Sequence, residues 1–450
     1  MMERREQKLG MPTGRGYSRR DFLKVGGAGL AGAALLGTAG CGGGGAGSGK
    51  LIFSMGSVLP TYDALINKFN KQNKGEIEVT LREMPANSTT HYDKLTTEFQ
   101  AGGGDIDVIG GDVIWAIQFA AQGYIQDLSD DFPESEQKKF LPGPISAMTY
   151  EDAIYGIPWF TDAGILYYRK DLLEKAGFSG PPETWDELKE MALKTAKDTG
   201  TKNGFVFQGM NYEGGVCNGC EFIWTHGGEV LSEVTGGEVV IDSSEAVAGL
   251  ETYASMVADG VAPKAVANYD ETTSVPVFGG GDAVFLREWP GTYGLFGIPT
   301  KDGGYPNVKP EQVGIAPMPV AEPGMQSYSA LGGWNQFVNA ATDSQEEAVT
   351  FAKFMTATEQ EKFLALDGGL RPTRKALYED PDLIEASPVI ELAREIIFNN
   401  AKSRPVNEYY GDISLELAEQ FNNVLTGDTS PQEAAETLQQ SLSDIMEQAD

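Results

Sequence analysis

From Leu51 onward, short apolar runs alternate with amphipathic segments, and few folds accommodate that order. LIFSM at 51–55 reads as a strand, and the segment from Tyr62 to Phe69 gathers Leu65, Ile66 and Phe69 on one helical face. The run from Glu76 to Leu81 alternates at period two, and His91 to Phe99 is helical. DIDVI at 105–109 is a buried strand, with a turn expected at Gly110-Gly111 and a helix from Val113. Further helix starts carry capping signals: Thr184 with Glu187, Ser344 with Glu347, and Ser430-Pro431 with Glu433. The last helix aligns Ala434, Leu438, Leu442 and Ile445. No internal repeat interrupts this pattern. It predicts an α/β architecture of several lobes with largely parallel sheets.

The N-terminus has a different character. Ser18-Arg19-Arg20-Asp21-Phe22-Leu23-Lys24 has the form of a twin-arginine export signal, and a Gly/Ala-rich apolar run leads from it to Thr38-Ala39-Gly40-Cys41. Small residues before a cysteine form the cleavage box of lipoproteins, so Cys41 is the expected lipidation site. Val25 to Gly40 is too short and too rich in glycine for a membrane span, which needs about 20 strongly apolar residues. Residues 1–40 are therefore read as a signal peptide and 41–50 as a flexible Gly-rich tether. Gly44, Gly49 and Lys50 come near a phosphate-binding loop, but Leu51 stands where a magnesium-ligating hydroxyl belongs and no strand precedes it.

Beyond residue 40 the chain holds 27 basic and 62 acidic side chains, which argues against nucleic acid and anionic lipid as partners. His91 and His226 are the only histidines, so multi-histidine metal sites are excluded, and neither metal nor cofactor is expected. With Cys41 assigned to lipid, Cys217 and Cys220 remain, in Cys-Asn-Gly-Cys. Their surroundings, YEGGVCNGCEFIWTHGG, read as a local structural disulfide or a free buried pair rather than a redox centre.

In open α/β sheets, ligands bind beyond the carboxyl ends of the strands. Asp112 and Trp115 follow the DIDVI strand, Trp159 and Asp162 lie in YGIPWFTDAGILYYRKDLL, and Trp289 and Tyr293 end DAVFLREWPGTY. Gly333 and Trp334 lie in SALGGWNQFVNA, and Arg371 in DGGLRPTRKALY. Aromatic rings beside carboxylates and a guanidinium suit a neutral polyhydroxylated ligand: C–H faces stack on indoles while charged groups bind hydroxyls. Trp185 and Trp224 are read as core.

The same stretches, DIDVIGGDVIWAIQFAAQGYIQDL, YGIPWFTDAGILYYRKDLLEKAG, LREWPGTY, LGGWNQFVNA and RPTRKALY among them, resemble the solute-binding proteins of ABC sugar importers, and most closely the trehalose/maltose-binding branch. The resemblance runs from about residue 50 to about 380. It implies a two-lobed periplasmic-binding-protein-like fold with an interlobe cleft, no catalysis, and a monomer that delivers sugar to ABC permease subunits. The implied lobes are 51–160 plus 336–380 and 161–335 plus 381–450, with crossings near 158–163, 330–337 and 378–384. It also implies that Asp112, Asp162 and Arg371 bind hydroxyls and that Trp289 and Trp334 line the cleft. The chain has Gly291 and Phe160 where many relatives carry an aromatic and a tyrosine.

Two other classes would need different chemistry. A secreted glycoside hydrolase needs two carboxylates flanking the bond, and no hydrolase-like motif surrounds Asp112 or Asp162. A redox protein would rest on Cys217 and Cys220 alone. Within the binding class, a non-sugar solute such as a polyamine or peptide is the remaining alternative.

Overall fold

The computed structural model describes residues 49–447 apart from 57, 104 and 387. The expected export signal and Cys41 lie outside the described residues. Two sheets organise the chain. Strands β1 (Lys50–Met55), β2 (Glu78–Glu83), β3 (Val108–Asp112) and β4 (Ile157–Ala163) come first, and β4 passes into β5 (Ile165–Arg169) across a single residue, Gly164. Then follow β6 (Asn203–Val206), β7 (Ala283–Glu288), β8 (Val313–Ala316), β9 (Ser329–Val338), β10 (Arg371–Pro372) and β11 (Ala401–Lys402). The larger sheet has seven strands in the order β10-β4-β9-β3-β1-β2, with β11 paired to β9, and the smaller has the order β8-β5-β7-β6.

The sheets are mixed rather than largely parallel. β1 pairs in parallel with β2 and β3, as helix-linked neighbours do, but β9 runs antiparallel to both β3 and β4. In the smaller sheet β5 is antiparallel to β7 and β8. The strands that break the pattern are those by which the chain leaves one sheet for the other. They need no right-handed crossover helix, so nothing forces them to run parallel.

The chain passes between the two sheets in a few separate stretches. The first lies at Gly164, just beyond the expected 158–163. The return occupies the stretch between β8 and β9, so the expected 330–337 sits inside β9. The lobe boundaries expected at 160/161 and 335/336 accordingly fall within strands β4 and β9 of the larger sheet. A third passage runs from β10 through helix Pro388–Asn399 and β11 to the helices Tyr410–Thr426 and Pro431–Glu447, which pack on the second lobe.

Each lobe has an aromatic core. Phe53, Phe69, Trp159 and Phe351 interlock in the first, with Phe53 and Trp159 ring centroids 6.0 Å apart at a steep angle. In the second, Trp185 stacks on Phe222 at 4.0 Å and donates from its indole nitrogen to Thr225, while Trp224 is also buried. The capping boxes at Thr184/Glu187 and Ser430/Glu433 form as the sequence predicts. Ser344 makes no such cap, because its own backbone N–H is tied to Thr342 and its φ/ψ lies outside the extended region a cap requires. In the last helix Ala434, Leu438 and Leu442 are buried as expected, and Ile445 packs at the edge of the core.

Candidate functional site

Strand β3 extends three residues further than DIDVI suggested, because Gly110, Gly111 and Asp112 belong to it. The two glycines answer to packing rather than to a turn: a Cβ at Gly110 would overlap the Met55 sulfur, and one at Gly111 the Phe337 ring. The extension places Asp112 at the carboxyl end of β3, opposite Trp334 in β9. There Asp112 accepts from the Ser88 hydroxyl at 2.8 Å.

Asp112 opens onto a cavity of about 430 Å³. The first lobe lines it with Asp112, Asp162, Gly332, Gly333 and Trp334, together with residues 86–88. From the second lobe come Trp289, Asp270, Glu271 and Thr272, and also Tyr212 with Glu213, Gly214 and Cys217 of the helix Glu213–Trp224 that follows it. Arg404, in the loop after β11, completes it. Gly333 has φ +128, a conformation side-chain-bearing residues rarely adopt, and it brings the β9 backbone against Phe160 and Thr161.

Five of the eight predicted ligand-binding residues therefore meet in one cavity: Asp112, Asp162, Trp289, Gly333 and Trp334. The other three do not line it. Trp115 is buried beneath Trp334, edge-on at 5.5 Å, and beside His91. Tyr293 lies in the 3₁₀ turn Pro290–Leu295, where its hydroxyl donates to the Pro310 carbonyl at 3.3 Å and its ring packs on Phe296. Arg371 is buried in β10, donating from Nη2 to the Gly369 carbonyl at 2.7 Å, with Nε and Nη1 enclosed and without a hydrogen-bond partner. It acts on the cavity through charge, pulling down the Asp162 pKa. Trp159 is core, packed against Phe53 and Tyr62.

Each indole is held by packed neighbours. The Trp289 ring lies over Gly332, where a Cβ would come within 2.8 Å of Cζ3, and the Arg287 guanidinium covers it at 4.2 Å from the centroid. Its Nε1 donates to Glu271 Oε1 at 3.2 Å, and Tyr212 donates to Glu271 Oε2 at 2.7 Å, so one carboxylate orients two aromatic rings. Trp334 stacks on His91 at 5.6 Å; burial drives the His91 pKa down to about 3, so the ring beneath is neutral.

The polar groups fall into two sets. Asp162 Oδ1 is enclosed without a partner, and burial raises its carboxyl to about 7 against the opposing pull of Arg371 and Arg287. Around Arg404, by contrast, nearly every group is bonded. Its Nη1 donates to Glu213 Oε1 at 2.6 Å and its Nη2 to the Leu331 carbonyl at 3.0 Å, and Nη2 lies 3.6 Å from Asp112 Oδ1. Tyr410 and Ser414 also donate to Glu213. Arg404 Nε alone lacks a partner.

Arg404, Glu213 and Glu271 are absent from the sequence-derived set. Arg404 sits in an Arg-Pro dipeptide as Arg371 does, so the signal that marked one was present for both. Glu213 and Tyr212 lie in the very segment read for its cysteines. Cys217 and Cys220 are free thiols, fully buried one turn apart in helix Glu213–Trp224, so the possible disulfide is not formed. Burial pushes the Cys217 thiol up to about 12, far from the thiolate a redox centre uses.

The sequence from residue 54 to 362 matches the family of bacterial extracellular solute-binding proteins. The chain belongs to that family. A Deinococcus radiodurans relative, named a probable ABC transporter-binding protein, is 32% identical over 82% of this chain and 86% of its own length. A Pyrococcus abyssi maltotriose-binding protein is 26% identical over 61% of this chain and 56% of its own length. Among solved structures, maltose-bound T. maritima MalE3 matches with a TM-score of 0.80 and 38% identity, over 88% of this chain and 99% of that one. The fold of this solute-binding protein is thus the two-lobed arrangement of sugar-binding proteins, and the relatives named here are binding proteins rather than enzymes.

Proposed function

We propose that this solute-binding protein captures a neutral sugar, most favourably a disaccharide such as trehalose or maltose, in the cavity between its sheets and delivers it to the membrane subunits of an ABC importer. One observation carries the reading: two indoles from opposite lobes, Trp289 and Trp334, and the carboxylates Asp112 and Asp162 of the first lobe meet in a single cavity. Sugar rings stack on the free indole faces, and Asp162 Oδ1 and Arg404 Nε, both without partners, take hydroxyls. The lobes are assigned as 51–163 plus 329–372 and 165–316 plus 410–447, hinged at the crossings. Export by the twin-arginine route and lipidation at Cys41 tether the protein outside the membrane, where it works as a monomer.

The test is a thermal-shift screen of the exported protein over mono- and disaccharides, with a polyamine and a peptide mixture as controls. Ligand at 100 times its dissociation constant adds about 2.7 kcal/mol of stability. A shift with maltose or trehalose is expected. A shift with the polyamine or peptides alone would overturn the sugar reading, and release of reducing sugar from a bound disaccharide would point to a hydrolase.

A further inference from the structure

Gly164, the one residue between β4 and β5, rests on a buried ion pair. A Cβ there would overlap both Glu221 Oε1 and Arg287 Nη2. Glu221 and Arg287 are wholly buried, and Arg287 Nε donates to Glu221 Oε2 at 2.8 Å while Nη2 donates to Oε1. The same Oε1 accepts the Ala330 N–H at 2.9 Å, at the start of β9, and the Ala330 carbonyl accepts the Gly164 N–H at 3.4 Å. One carboxylate thus holds the strand by which the chain returns and abuts the residue by which it leaves. On its other side, the Arg287 guanidinium lies against the Trp289 ring.

Stability does not account for this arrangement. Taking two charges out of water costs about as much as their attraction returns, and well-packed apolar residues serve a core equally well. Apolar residues could not, however, accept the Ala330 N–H or present a flat cation to an indole.

We propose that Glu221 and Arg287 are the positioning pair of the hinge: they seat Gly164 and Ala330 and link those crossings to the Trp289 platform, so that occupancy of the platform biases the angle between the lobes. The ligand half of this proposal rests on the sugar-binding reading; the seating of the crossings does not.

The experiment compares the mature wild-type protein with Glu221→Gln. Amide hydrogen exchange in the unliganded proteins is read at Gly164 and Ala330, with Phe53 in β1 as an internal reference for global stability. Loss of the charge-assisted bond should speed exchange at Ala330 about ten- to a hundredfold beyond any change at Phe53. Equal changes at both sites would overturn the proposal. Small-angle scattering with and without maltose then tests the link to the platform. Wild type should contract, and Glu221→Gln should contract less and bind at least tenfold more weakly; an unaltered contraction and affinity would overturn the link. Selective exchange at Ala330 in a wild type that binds no sugar would defeat the sugar reading while upholding the hinge seat. Should Glu221→Gln fail to fold, Arg287→Lys keeps the cation but loses the planar face and the forked bond, and carries the same expectations.

Discussion

Arg404 and Glu213 form a buried ion pair at 2.6 Å on the wall of the cleft, joining the loop after β11 to the first residue of helix Glu213–Trp224. Burial raises the Glu213 pKa against the lowering pull of Arg404, Ser414 and Tyr410. Arg404→Ala leaves the Glu213 charge buried and unpaired, which typically costs about 3–5 kcal/mol. Chemical denaturation should show a loss of that order, and Arg404→Met combined with Glu213→Gln should recover most of it. Equal stability of wild type and Arg404→Ala would show that the pair is solvated.

The two indoles should separate binding from folding. Trp289 is half-buried at the cleft rather than in the core, so Trp289→Ala should weaken sugar binding at least tenfold, in line with other anchoring aromatics, while the melting temperature of the unliganded protein stays near wild type. Calorimetric titration decides it, and unchanged affinity would remove Trp289 from the site.

Asp162 gives the cleft a pH signature. Its folded pKa of about 7 lies above the ordinary carboxylate value, because burial outweighs Arg371 and Arg287. Between about pH 4 and 7 the folded protein therefore holds a proton the unfolded chain has lost. Its contribution to stability is full below about pH 4 and is lost as pH rises through about 7. Melting curves of the unliganded wild type and Asp162→Asn should diverge across that window, with wild type losing more on the alkaline side. Parallel curves would mean that Asp162 titrates normally. Sugar hydroxyls donating to Oδ1 favour the charged form, so binding near pH 7 should release protons in wild type and none from this position in Asp162→Asn.

Much of this was legible beforehand, and the gaps have physical causes. Periodicity located β1, the first helices and the capping box at Thr184, since each depends on residues within a few positions. Gly110-Gly111 reads as a turn because a glycine chosen for a crowded neighbour, here Met55 and Phe337, is identical in sequence to one chosen for a turn. The helix Glu213–Trp224 was missed for a related reason: it is buried on every side and rich in glycine, so it has no polar face to reveal its period. Arg371 and Arg404 show the limit for the site. Both precede proline and both are buried, and only the third dimension shows which of them reaches the cavity.

The cysteines should behave as inert packing. Buried thiols with raised pKa values react slowly, so thiol reagents should find none in the native protein and two after denaturation without reductant. Cys217→Ser with Cys220→Ser should lower the melting temperature and leave sugar binding in place. No free thiol in the denatured exported protein would indicate that a bridge had formed after all.

Export can be tested apart from binding. Arg19→Lys with Arg20→Lys should leave precursor in the cytoplasm, and Cys41→Ser should abolish lipid attachment while sparing the cavity. Membrane retention of the Cys41→Ser protein in a detergent partition would exclude the anchor.

Gly332 gives the cleft an adjustable width. Since the Trp289 ring rests where a methyl group at that position would sit, the smallest mutation there, Gly332→Ala, displaces the indole rather than deleting it. One codon thus alters the position of an aromatic wall while the carboxylates, the guanidinium and both lobes stay as they are. Position 332 is accordingly where a single added carbon reshapes the cleft without changing any of its polar groups.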